Sequence, residues 1–234
     1  MAKKNTVAGN AKAVREQEST MEETLNRWEE FFENNKMGII LAVIALILIV
    51  VGISLYKSKV VEPRERKVAE YSFAGENYFM AENYDMALNG DGNGFVGFIE
   101  LADKYSNTKA GKLASAYAGL CLAQKDSCEQ AIRYLEKFNG KDQMVGPAVL
   151  GALADCYAST DQLDKAAATF AKAAKKADNG LLTPMYLFKE GLIYEALDQP
   201  AKAAELYRRI KIEYPGSQEA VTIDQYITRT TTGK

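Results

Sequence analysis

Histidine is absent from this chain, and that absence removes more chemistry than any residue present adds. Imidazole is the usual general base near neutral pH and the commonest metal ligand, so histidine-based triads and histidine-ligated zinc sites are excluded. Cysteine is scarce. Cys121, Cys128 and Cys156 form no C-x-x-C pair, which argues against structural zinc and thioredoxin-like chemistry. They read as small buried apolar side chains on helices, the alternative being a Cys121–Cys128 disulfide across a turn in an oxidising compartment. An excess of positive charge is missing too: Lys+Arg 29 against Asp+Glu 31 leaves a net charge of −2, with no basic field to draw in a phosphate backbone. No nucleophile–base pair or metal constellation emerges, so the expectation is a chain that is not an enzyme, with no cofactor, no small-molecule substrate and no nucleic-acid partner.

What is present begins with one long apolar run. Residues 37–56, MGIILAVIALILIVVGISLY, carry no charge and as a helix would span roughly 30 Å, the thickness of a bilayer's hydrocarbon core. This predicts a transmembrane helix that stays attached, because the run passes straight into Lys57-Ser58-Lys59 instead of a small-residue cleavage site. Trp28, Phe31, Phe32 and Tyr56 suit the interfacial belts, and Lys36, Lys57 and Lys59 can direct their ammonium groups to water. Residues 1–18 read as a flexible polar tail. Residues 19–36 read as an amphipathic acidic helix, with Met21, Leu25, Trp28 and Phe32 opposite Glu22, Glu23, Glu29, Glu30 and Glu33, either a solvated extension of the span or a docking surface. The positive-inside count, Arg27 and Lys36 before the span against Lys57, Lys59, Arg64, Arg66 and Lys67 after it, favours a cytosolic carboxyl domain, although long domains translocate largely regardless of charge.

From residue 63 onward the chain is helix-forming, Ala-rich and periodic. One unit has Leu150, Leu153, Ala154 and Tyr157 on a first helix, then Ala166, Phe170 and Ala173 on a second. The next has Leu187, Gly191 and Tyr194, then Ala203, Tyr207, Ile210 and Pro215; an earlier one has Ala118, Gly119 and Leu122, then Ala131, Leu135 and Phe138. The pattern resembles the tetratricopeptide repeat, whose period is about 34 residues. Gly119, Ala154 and Gly191 would let each first helix approach its second at Ala131, Ala166 and Ala203. Tyr157 and Tyr194 would fill the wedge between pairs, and Pro215 would end its helix.

A more divergent unit starts with Tyr71, Ala74, Gly75 and Tyr78, reaches Ala87, and is interrupted by an insertion at 89–94, after which the helix is expected to resume at Phe95. Gly92-Asn93-Gly94-Phe95-Val96-Gly97 matches G-x-G-x-x-G, but no strand precedes it. The same stretch lacks the oxygen donors of a calcium loop, with Phe95 and Ala102 at two ligand positions. Residues 217–229 read as a capping helix and 230–234 as a flexible tail. The expected fold is all-α: one N-terminal transmembrane helix followed by a tetratricopeptide-repeat-like α-solenoid over 63–216, about four helix pairs.

The concave face of such a solenoid binds peptides or helices and is lined by the first helix of each pair. The register assigns to it Ala69, Ser72, Glu76 and Phe79; Leu113, Ala116 and Leu120; Ala148, Gly151 and Asp155; and Met185, Phe188, Leu192 and Glu195. The candidate protein-binding residues are Phe79, Leu113, Leu120, Asp155, Met185, Phe188, Leu192 and Glu195. The Lys and Asn that clamp a carboxyl-terminal carboxylate are missing, so the groove suits an apolar helix, an extended apolar segment or the chain's own C-terminal helix.

A tail, Phe31-Phe32-Glu33-Asn34-Asn35-Lys36 before one span, and then a repeat domain resemble the YfgM-type accessory subunit of the bacterial Sec translocon. That resemblance implies a single-pass protein of the bacterial inner membrane with a periplasmic carboxyl domain. Its implied partners are Sec translocon subunits and a membrane-anchored prolyl isomerase or periplasmic chaperones. An assembly adaptor for another envelope machine, in division or cell-wall synthesis, would carry the same features.

Overall fold

The computed structural model describes residues 28, 33–140 and 143–232. The expected tail at 1–18 and most of the acidic helix at 19–36 lie outside them. The chain divides into two units, Met1–Val60 and Val61–Lys234.

In the first unit α1 (33–56) is helical, and residues 40–56 are exposed along their whole length. Among the described residues, one helix, Glu33–Met80, contains a stretch long and apolar enough to cross a membrane. Branched and long aliphatic side chains on every face leave it no polar side to turn to water. A π-helical segment, Lys57–Val61, follows, and α2 (Glu62–Met80) opens with Pro63 in its first turn.

The second unit is all helix among its described residues, and its helices pair in sequence. α2 pairs with α3 (Tyr84–Asn89) and α4 (Phe98–Lys104), α5 (Lys109–Gln124) with α6 (Cys128–Leu135), α7 (Val145–Ser159) with α8 (Leu163–Ala177), and α9 (Leu182–Ala196) with α10 (Pro200–Glu213). A 3-10 turn (Glu219–Val221) and α11 (Ile223–Thr232) close the array against α10. The C-terminal helix therefore runs past the expected end at 229, into residues read from sequence as tail. Thr230 and Thr231 satisfy their hydroxyls by donating to backbone carbonyls one turn back.

One turn design recurs between the helices of each pair. Glu82, Asp126, Asp161 and Asp198 take positive φ, between 55° and 57°, the left-handed conformation that closes a helix C-terminus. The following amide then donates back into the helix just ended: Asn83 to the Tyr78 carbonyl, Ser127 to Leu122, Gln162 to Tyr157 and Gln199 to Tyr194 (2.8–2.9 Å). Three of the four are Asp, which tolerates this conformation better than most residues.

Inside the pairs, glycines accept large side chains, which revises the small-on-small contact expected from sequence. A Cβ on Gly119 would lie 2.5 Å from Leu135 Cγ, and one on Gly191 would run into the Tyr207 ring. Ala131, Ala166 and Ala203 are fully buried nearby, so close approach is real but the glycine's partner is the bulky residue four positions further along the second helix. Two buried clusters result. One centres on Phe98, Leu101, Ala118 and Leu135, the other on Phe170, Leu187, Tyr207 and Ile210.

The insertion breaks the first unit's second helix in two. Phe95 does not restart a helix: it lies in the loop, buried, against Tyr78 (ring centroids 6.1 Å) and Phe98 (5.5 Å). Asp91 holds that loop shut, its Oδ1 accepting from Asn93 N (2.8 Å) and Phe95 N (3.1 Å) and its Oδ2 from the Tyr78 hydroxyl (3.0 Å). These bonds keep the Asp91 carboxyl below its ordinary range against the opposing effect of burial. Gly97, at φ 90°, passes so close to the Leu88 carbonyl that no side chain fits. The Asp and glycines that resembled ligand motifs thus shape a loop.

Candidate protein-binding groove

The first helices α5 and α7 face each other across an open apolar groove of about 320 Å³. Leu113, Ala116, Tyr117 and Leu120 form one wall, and Met144, Val145, Ala148 and Val149 the other. Leu113 and Leu120, assigned from sequence, are therefore brought together with Ala116 and Ala148. Tyr117 and the α7 start were not among the assigned residues. Tyr117 stacks on Phe98 (4.8 Å) and meets Phe79 edge-on (5.3 Å), so the candidate Phe79 backs the α5 wall from behind. Burial and the neighbouring Glu76 carboxylate raise the Tyr117 phenol above its ordinary pKa.

A short helix accounts for the opening. α6 ends at Leu135, and the chain runs through Phe138-Asn139-Gly140 instead of completing a full-length second helix. Between α7 and α9 the equivalent junction is closed. The Tyr186 ring lies where a Cβ on Gly151 would be (2.5 Å), and Asp155 on α7 takes a hydrogen-bonded ion pair from Lys189 on α9 (2.7 Å). Asp155 is exposed, a rim group and not a lining one.

The last four assigned residues belong to a flank that the chain covers itself. Phe188 meets Tyr226 of α11 edge-on (4.7 Å) and Tyr207 of α10 (5.9 Å). Glu195 accepts from Arg229 Nη2 (2.7 Å) and Nε (2.9 Å) and from the Tyr207 hydroxyl (2.5 Å). Burial alone would push the Glu195 carboxyl up, but the bonds from Arg229 and Tyr207 outweigh it and hold it below its ordinary range. Met185 packs on the second core cluster, and Leu192, 37% exposed, is the most open of the four. At Phe188 and Glu195 the contact is made by the chain's own C-terminal helix.

The Lys189–Asp155 and Arg229–Glu195 pairs each join residues 34 apart, so α11 stands where the first helix of a further unit would stand. The turn aspartates Asp126, Asp161 and Asp198 recur at 35 and 37 residues, the spacing of the helix pairs.

Among the described residues no cluster of three or more Cys, Asp or Glu could hold a metal ion. The cysteines are free, without the Cys121–Cys128 bond that the sequence left as an alternative. Cys121 lies fully buried on α5.

No protein-family model matches the chain, and no curated protein matches it by sequence. By fold it is similar to a crystal structure of TPR-like repeats, a Q17M variant of a Podosopora anserina protein described as a kinesin light chain. That similarity covers 74% of this chain and 88% of that one, at 12% identity and a TM-score of 0.50. It shows a TPR-like helical-repeat fold.

Proposed function

We propose that the chain is a membrane-anchored, non-enzymatic adaptor whose α5/α7 groove receives an apolar helical segment of a partner protein. The groove itself carries the reading: an open trough walled by aliphatic and small side chains, in an array whose α9 flank is already covered by a helix of the same chain. α11 gives the template for the occupant, an amphipathic helix setting an aromatic ring on Phe188 and a guanidinium on Glu195. The α5 wall has Leu120 and no carboxylate in its lining, so its occupant is aliphatic along the contact line.

Helix α1 serves as the anchor in this reading. The finer assignment is an accessory factor of the bacterial Sec translocon in the inner membrane, with a periplasmic repeat domain that meets a membrane-anchored prolyl isomerase or chaperones. What supports it is the order of tail, span and repeats. One observation favours a second reading: the positive residues Lys57, Lys59, Arg64, Arg66 and Lys67 follow the span, which suits a cytosolic domain serving another envelope machine.

Protease added to spheroplasts separates the two. Digestion of 63–234 supports the periplasmic reading, and protection until lysis supports the cytosolic one. Affinity purification from gently solubilised membranes tests the partner. Sec subunits should co-elute with the wild type and be lost with Leu113→Glu/Leu120→Glu; recovery of division or cell-wall proteins instead would replace the translocon assignment.

A further inference from the structure

We infer that Arg64, Lys104 and Tyr105 form a binding site for the phosphate of an anionic phospholipid headgroup. With Pro63 they line an open pocket of about 290 Å³, walled by the first turn of α2 and the end of α4. Two cations thus converge from different helices. The Tyr105 ring packs on the first core cluster, which fixes one side of the pocket. A phosphate diester would accept from the guanidinium fork and the ammonium together, with the phenol as a further donor.

Both cations are available to such a ligand. Among the described residues no ion pair or hydrogen bond engages the Arg64 guanidinium, and Lys104 meets Glu100 at 3.7 Å, an exposed pair worth little. The carboxylates beside them are turned elsewhere. Glu65 Oε1 accepts from the Lys109 amide at the start of α5 (3.1 Å). Asp103 accepts from Lys137 Nζ (3.1 Å) and the Tyr134 hydroxyl (3.2 Å).

Charge and chain length point to a lipid as the source of the phosphate. The whole chain has a net charge of −2, yet residues 57–67 carry Lys57, Lys59, Arg64, Arg66 and Lys67 against Glu62 and Glu65. Such a cluster next to a span draws in anionic headgroups. Eight residues of chain lead from Tyr56, the end of the apolar run, to Arg64, roughly 12 Å at helical rise. The polar layer of a bilayer is about 5–8 Å deep on each side, and helix side chains tilt toward the amino terminus, so a guanidinium on this turn reaches back toward that layer. The inference rests on α1 as the membrane anchor and holds for either orientation of the repeat domain.

The test uses the full chain in neutral detergent micelles, with amine acetylation read by mass spectrometry at Lys104 and, as internal reference, at Lys211 on α10. Micelles are doped with phosphatidylglycerol or phosphatidylcholine, or left undoped with inorganic phosphate in the buffer. Phosphatidylglycerol should slow acetylation of Lys104 several-fold and saturably, with Lys211 unchanged, and phosphatidylcholine should not. Arg64→Gln, a change at an exposed position, should raise the half-saturating lipid fraction roughly fivefold, and about 0.5 M salt should abolish the protection. Equal Lys104 rates in the two lipids, or protection untouched by Arg64→Gln, would overturn the inference. Protection by inorganic phosphate alone would overturn the lipid as source and assign the pocket to a soluble phosphate. Carbonate extraction of cell membranes tests the anchor separately: release of the chain would remove α1 as anchor, while the micelle result still decides the pocket.

Discussion

In the C-terminal half of the repeat array, α7, α8 and α9 have 15 residues each and α10 has 14; in the N-terminal half α3 has six, α4 seven and α6 eight. Both halves use the same turn and the same glycine-to-bulky-residue contact. They differ in what they leave uncovered. Where second helices are full length, first helices meet directly, Tyr186 on Gly151 and Lys189 on Asp155, and α11 covers the remaining flank. Where the second helix is cut short, two first helices face each other across an apolar gap.

The comparison breaks most visibly at Tyr207, fully buried between α9, α10 and α11. Tyr207→Ala should cost about 3–5 kcal/mol in urea unfolding, the range for removing a buried aromatic. A loss no larger than that of a groove substitution would mean the C-terminal half is not closed as described. Ala166→Trp forces a ring into the α7/α8 contact and should cost about 1–3 kcal/mol; an unchanged thermal midpoint would put Ala166 elsewhere.

Glu190 sharpens the contrast through pH. It is 6% exposed on α9, and burial pushes it up to about 7, with Arg209 of α10 opposing. A carboxyl whose folded pKa exceeds its unfolded one binds more protons when folded, so this group's contribution to stability falls as pH rises from about 4.5 to about 7. Glu190→Gln should therefore stabilise by about 1–2 kcal/mol at pH 8, allowing for partial solvent screening, and by almost nothing at pH 4. A gain independent of pH would assign the effect to packing. Smallest of all, Leu113→Glu/Leu120→Glu, at two half-buried positions, should cost no more than about 1 kcal/mol per site in the same urea unfolding.

Much of this architecture is legible in the residues. Small residues at 119, 154 and 191 followed by Ala131, Ala166 and Ala203 mark helix pairs, because the steric demand of close packing repeats with the fold. What periodicity does not reveal is where it fails. Phe95 sits at helical spacing with Phe98, yet Asp91 and Gly97 pull it into a loop, and local hydrogen bonds override propensity there. Leu113 and Leu120, placed by register alone, line the same groove wall. That Phe188 and Glu195 would be covered depended on Tyr226 and Arg229, whose partners lie one repeat away. Hydrophobic spacing alone does not read such contacts.

The central claim, one open flank and one self-covered flank, is most directly tested by a photo-crosslinking amino acid placed in the intact membrane protein at Leu120 or at Phe188. Irradiation should give an adduct to an envelope protein from position 120, identified by mass spectrometry as a translocon subunit or a chaperone, and from position 188 only a crosslink within the chain to α11. Partner adducts from position 188, or none from position 120, would contradict it.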